Sequence, residues 1–190
     1  MSGSEGRIRY YVSMLRRSIH VRYYMANLVG RMLPRHASGV IRGRLYRWAG
    51  FKIGEGSFLM GNLDLVSAVP GFYDKLVIGA GSVIADHVTI NLDDKVTLGT
   101  NVAIAPHVLI YTGSHKIGPG SMRLGTVSCA PVTIEDGAWI RLGAIIVPGV
   151  TIGRGSIVAT GAVVLKNVPP NTYVEGNPAV VIRPLGWGDR

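Results

Sequence analysis

The stretch VTIEDGAWIRLGAIIVPGVTIGRGSIVATGAVVLKNV, residues 132–168, decides the fold. Ile134, Ile140, Ile146, Ile152, Val158 and Val164 recur at every sixth position. Four residues after each comes Ala138, Ala144, Val150, Ser156, Ala162 and Val168, all small or β-branched. Neither the 3.6-residue helix period nor the alternation of a lone strand gives this spacing. It predicts a parallel β-helix of hexapeptide repeats, three hexads closing one triangular turn of about 18 residues. The recurring aliphatic points inward, the small residue fits the crowded corner, and coils stack at about 4.8 Å.

The same step continues upstream in Ile78, Ile84 and Ile90 and in Leu98, Ile104 and Ile110, with two extra residues between Ile90 and Leu98. After Ile110 the rhythm stops, and it resumes clearly at Ile134. The hexad opening at Ile110 reads Ile-Tyr-Thr-Gly-Ser-His, so His115 holds its last place. Residues 116–133 are expected to protrude as a loop, with Gly118, Pro119, Gly120 and Pro131 suited to turns. A histidine at such a root has a rigid scaffold on one side and a mobile cover on the other.

The 190 residues suffice for one domain, and 47% hydrophobic content with 26 glycines and 16% charge excludes disorder. The net charge of +9 is unevenly placed. Residues 1–50 carry ten arginines against Glu5 alone, while residues 51–190 carry ten Lys or Arg against ten Asp or Glu. Within that basic segment Val12, Leu15 and Ile19, then Met25, Leu28, Val29, Met32 and Leu33, follow helical spacing up to Pro34. After Ser38, a candidate N-cap, Ile41, Leu45 and Trp48 line one face of a further helix that Gly50 ends.

The organisation expected is therefore a basic helical segment at 1–50, a β-helix at 51–165 and a C-terminal tail at 166–190. The arginines read either as a solvated face of helices packed on the body or as a surface for anionic lipid headgroups or a lipid-linked substrate. Nucleic acid is not expected, because the body is neutral and no base-reading motif accompanies the arginines. The single cysteine, Cys129, excludes an internal disulfide. Absent signal-peptide and membrane-spanning patterns, the expected location is the cytoplasm, with peripheral membrane contact through residues 1–50 an open alternative.

Together, "APHVLIYTGSH" and "VTIEDGAWIRLGAIIVPGVTIGRGSIVATGAVVLKNVPPNTYVEGNPAVVIR" resemble the left-handed β-helix hexapeptide-repeat acyltransferases, above all acetyltransferases of sugars, surface polysaccharides and some antibiotics. The likeness spans roughly residues 51–185. It implies an all-β, left-handed coil, a homotrimer, and acetyl-coenzyme A held between neighbouring subunits. It implies that His115 is the catalytic base, and the chemistry suits that role: an imidazole with a pKa of about 6.5 can take the proton of a sugar hydroxyl as it attacks a thioester. It implies that Asn91, one coil below Tyr111, helps hold the acceptor, with Asp93 orienting the imidazole or binding hydroxyls. Tyr111, Ser114 and Trp139 join them as acceptor contacts. On the donor side Gly143, Ala144, Gly161 and Ala162 keep the wall low for the pantetheine arm, and Lys166 and Arg183 meet the phosphates.

Departures from the usual pattern are Arg141 where glycine is common, Lys116 after the histidine, and Val180 after "GNPA". They leave the acceptor open, and with it transfer to an amino sugar rather than a hydroxyl. Three rival readings stand beside this one. His87 and His107 occupy equivalent hexad places one coil apart, which raises a β-helix carbonic anhydrase with zinc on three histidines, although that type sets two of them about five residues apart and His107 and His115 are eight apart. Cys129 could carry a covalent acyl group, although nothing near it in sequence activates it. The coil could also be an inactive scaffold. No metal is expected.

Overall fold

The computed structural model describes residues 20–34, 37–67 and 69–186. Among the described residues two helices precede a coil of short parallel strands whose faces form three sheets. The first face stacks Lys52–Ile53, Leu76–Ile78, Val96–Leu98, Val132–Ile134 and Thr151–Ile152. The second stacks Phe58–Leu59, Val83–Ile84, Ala103–Ile104, Trp139–Ile140 and Ile157–Val158, then Thr172–Gly176 and Ala179–Pro184. The third stacks Asp64–Val66, Thr89–Asn91, Leu109–Ile110, Ile145–Ile146 and Val163–Val164.

The six-residue series becomes three columns. Ile78, Leu98, Ile134 and Ile152 lie in register on the first face. Ile84, Ile104, Ile140 and Val158 do so on the second, and Ile90, Ile110, Ile146 and Val164 on the third. All are buried, each contributing about 1.5–3 kcal/mol of transfer free energy. Buried Ser82 and Ser156 are satisfied by backbone: Ser82 Oγ donates to Gly99 O (3.0 Å) and Ser156 Oγ to Pro169 O (2.6 Å). The third residue after most of these inward aliphatics turns a corner in the left-handed backbone region. Glycine fills that place at Gly137, Gly143, Gly155 and Gly161, and Asn101, His87 and His107 fill it elsewhere, the residue types that tolerate it best.

The interruption after Ile110 is more ordered than a loop. Gly113–Ile117 pairs antiparallel with Leu124–Cys129, placing His115 opposite Val127. The alternating residues of the returning strand favour pairing, and the coil has already resumed at Val132, whose N–H donates to Lys95 O (3.0 Å). The protruding segment therefore starts before residue 116 and ends before 133. At the other end Thr172–Gly176 extends the second face and Ala179–Pro184 folds back antiparallel over it.

Helix α1 spans Val21–Met32 and α2 spans Gly39–Ala49, ended by Gly50 at a φ of 115°. Ser38 stands at the N-cap but makes no side-chain cap bond. The expected apolar faces are turned the wrong way: Met25, Leu28, Val29, Met32, Ile41 and Trp48 are exposed and Leu45 half-buried. What packs on the coil is Tyr23, Ala26 and Gly30 from α1 and Gly39, Arg42, Gly43, Tyr46 and Ala49 from α2. Close approach is the reason. A Cβ on Gly39 would lie 2.6 Å from the Phe58 ring, and one on Gly30 2.3 Å from Asn62 Oδ1. The earlier stripe Val12, Leu15 and Ile19 lies outside the described residues.

Arg42, only 2% exposed, locks this arrangement. Its Nη2 donates to the carbonyls of Gly30 (3.3 Å), Leu33 (2.8 Å) and Pro34 (3.2 Å), closing the C-terminal end of α1. Its Nη1 donates to Met60 O (3.1 Å) and Leu59 O (3.5 Å) on the first coil. Two tyrosines add bolts: Tyr23 Oη donates to Leu63 O (3.0 Å), and Leu63 N–H donates to Tyr46 Oη (2.8 Å).

Candidate active site

The chain leaves the third face at Tyr111, with Ile90 in register beneath Ile110 as the spacing requires. Asn91 thus sits under the exit point, but it is only 4% exposed, and its amide is spent on the scaffold. Its Nδ2 donates to Asp93 Oδ2 (3.0 Å), and its Oδ1 accepts from the Thr112 hydroxyl (2.7 Å). Fully buried Thr112 also accepts from Asp94 N–H (2.9 Å). Lys75 Nζ donates to Asp93 O (2.8 Å). The Asp93 carboxylate so held lies against Gly113, where an added Cβ would come within 2.7 Å of Asp93 Oδ2. Any larger residue there would have to push the Asp93 carboxylate aside.

Two residues on, His115 is exposed and its Nδ1 lies 3.0 Å from Gly125 O across the hairpin. A backbone carbonyl can only accept, so Nδ1 carries the proton and, in the neutral ring, Nε2 keeps a free lone pair. Tyr111 and Ser114 are exposed beside it. Asn91 and Asp93 therefore lie against the exit at Thr112 and Gly113, and Tyr111, Ser114 and His115 flank those two residues in the chain.

The remaining predicted residues lie elsewhere. Trp139 belongs to the second face, where Arg141 lies over its ring at 5.1 Å from the centroid. With Tyr173, Ile157, Ile182, Arg183 and Leu185 they line a cavity of about 470 Å³. Arg183 sits over Tyr173 at 5.9 Å, whereas Lys166, exposed, follows the last strand of the third face. Within one chain Trp139 does not share a face with His115, nor Arg183 with Lys166. Gly143 and Gly161 stack at the corner between the second and third faces, and a Cβ on either would meet nothing within 4 Å. Ala144 and Ala162 are fully buried, so their methyls fill the coil and do not line that corner.

The corner column continues below the glycines as His107 and His87, whose rings stack at 5.0 Å and 2°. His87 Nε2 lies 3.7 Å from Asp86 Oδ2. Among the described residues no three His, Cys, Asp or Glu side chains are grouped to hold a metal ion. Cys129 is exposed opposite Gly113. Two members of the site escaped the sequence reading. Thr112 lies inside the quoted "TGSH" and was signalled by its polar side chain at a position next to a core aliphatic. The Gly125 carbonyl is backbone and carries no sequence signal. No helix among the described residues is long and apolar enough to cross a membrane.

The family described as bacterial transferase hexapeptide (six repeats) matches residues 131–166. An Escherichia coli (strain K12) acetyltransferase, assigned provisionally by its name to colanic acid biosynthesis, is 32% identical over 141 residues, covering 73% of this chain and 76% of that one. The chain spans about half the length of the first four curated relatives it matches. Among solved structures, the maltose O-acetyltransferase from Clostridium difficile 630 has a TM-score of 0.76 at 29% identity, covering 91% of this chain and 88% of that one. A hexapeptide-repeat acetyltransferase from Vibrio cholerae O1 biovar eltor, complexed with acetyl-coenzyme A, has a TM-score of 0.70 at 28% identity, covering 88% and 89%. With its columns of hexad aliphatics and these relatives, the chain belongs to the hexapeptide-repeat acetyltransferase family, and its coil is the left-handed β-helix of that family.

Proposed function

We propose that this protein transfers an acetyl group from acetyl-coenzyme A to a hydroxyl on a sugar of a surface polysaccharide, glycolipid precursor or related glycoside. The observation that carries the proposal is the His115 ring, oriented by Gly125 O so that Nε2 is the basic nitrogen. Nε2 removes the hydroxyl proton, the oxygen attacks the thioester carbonyl, and the coenzyme departs as thiol, taking the proton back from the imidazolium. A backbone N–H would meet the developing oxyanion. The likeness to a maltose O-acetyltransferase supports a sugar hydroxyl, and the likeness to an acetyl-coenzyme A complex supports the donor.

Asp93, Tyr111 and Ser114 contact the acceptor in this proposal. Asn91 acts through Asp93 and Thr112, since its own amide is already engaged. The open corner at Gly143 and Gly161 receives the pantetheine arm, and Lys166 and Arg183 its phosphates. Trp139 and Arg183 lie on the second face, whereas His115 stands on the hairpin that leaves the third face and Lys166 follows the last strand of that face. A homotrimer that sets the second face of one chain against the third face of the next would complete the site. It would also give residues 51–165 and 166–190 distinct tasks, coil and coenzyme contact. The test is titration calorimetry with acetyl-coenzyme A, followed by a panel of glycosides read by mass spectrometry. The expected result is coenzyme binding and a mass gain of one acetyl group on a hydroxyl. Absence of coenzyme binding, or acetylation confined to amines, would reject the proposal.

A further inference from the structure

We infer that the two N-terminal helices dock this protein flat on an anionic lipid surface, with the exposed side chains of α1 and α2 entering the headgroup boundary. The inward faces of these helices are built from small residues, two tyrosines and Arg42, leaving the large apolar residues outside. Met25, Leu28 and Met32 form an outward stripe on α1, and Ile41 and Trp48 do so on α2. The two most exposed of these five, Met32 (81%) and Trp48 (61%), are large side chains that a soluble surface ordinarily covers. The Arg42 anchor and the glycine contacts hold the stripe outward without any rearrangement.

Charge selects the occupant. Arg22, Arg31 and Arg44 are exposed on the same two helices, and residues 20–50 contain no Asp or Glu at all. An apolar face rimmed by cations and free of carboxylates fits the boundary of an anionic membrane. A second copy of the same face would set arginine against arginine, and residues 51–190 of a neighbour carry no net negative charge to attract it. Helices of 12 and 11 residues are far below the roughly 20 needed to span a bilayer. They lie on the surface.

The experiment is flotation of the full chain with vesicles of phosphatidylcholine alone or with phosphatidylglycerol added, at low and high salt. The wild type is expected to float with the anionic vesicles at least about tenfold more than with the neutral ones, and to lose that excess at high salt. The double change Met32→Ser, Trp48→Ser should reduce binding by about tenfold or more, and Arg31→Gln or Arg44→Gln by about fivefold each. Molar mass by light scattering should not change in any variant. No flotation of the wild type, variants that float equally, or a mass change in the serine variant would each overturn the inference, the last by making the face a contact between chains. The assay reads lipid binding and is independent of acetyl transfer.

Discussion

At the exit of the coil, single atoms decide what His115 can do. Its Nδ1–H is fixed by Gly125 O (3.0 Å), and the ground it stands on is fixed by Thr112, whose hydroxyl joins Asn91 and Asp94 (2.7 and 2.9 Å). Thr112→Val keeps the shape and removes that hydroxyl, leaving buried polar groups short of a partner. A loss of about 1–3 kcal/mol in stability is expected, measured by urea denaturation. A drop in turnover with unchanged coenzyme affinity would accompany it, since nothing near the corner glycines moves. The place of Asn91 beneath Tyr111 was legible in the sequence because hexad register puts residues 20 apart one above the other across the two-residue insertion, whereas His115 stood out through the break in the repeat and the family likeness. The role of Asn91 was not legible: a polar residue under the exit looks available until its two hydrogen-bonding partners are known.

Between elements, the helix–coil junction depends on a buried cation and two phenols. Replacing Arg42 by Ala would take the guanidinium away from five carbonyls, of which Gly30 O keeps the Leu33 N–H (3.3 Å). With charged donors contributing about 1.5–3 kcal/mol each in net terms, a fall in unfolding free energy of roughly 3 kcal/mol or more is expected, with Arg42→Lys recovering only part. Tyr46 sets a pH limit. Burial pushes its phenol well above the ordinary range, so the folded state favours the neutral form more than the unfolded chain does. That preference is fully present below the ordinary phenol value of about 10 and is lost as pH rises beyond it. Stability measured from pH 8 upward should therefore decline above pH 10, and less steeply in Tyr46→Phe. Here the sequence misled. Apolar spacing correctly marked two helices, but it assigned the wrong faces, because this interface is made by glycines, alanines, two tyrosines and an arginine whose partners lie 8 to 18 residues away along the chain.

Over the whole molecule, the six-residue period was sufficient for the coil, since one inward aliphatic per edge is what a stacked triangular turn demands. The hairpin was legible only as an interruption: its pairing depends on strand residues that lack the repeat. The separation of Trp139 from His115 follows from counting hexads in threes, which puts Trp139 on the second face and the exit toward His115, after Ile110, on the third. That separation leads to a prediction about assembly. If neighbouring chains complete the site, light scattering should give three chain masses. Mixing His115→Gln with Arg183→Gln, each impaired alone, should restore a measurable fraction of activity after subunit exchange, because some interfaces would then carry both native faces.

The central claim is that His115 Nε2 accepts the acceptor's proton, and the most direct measurement is the single-turnover rate of acetyl transfer for wild type and His115→Gln at saturating acetyl-coenzyme A and sugar, with coenzyme affinity determined in parallel. The account predicts a rate reduced by about 10²–10⁴ with affinity for the coenzyme within about twofold of wild type. A His115→Gln protein that transfers acetyl groups at the wild-type rate would contradict it.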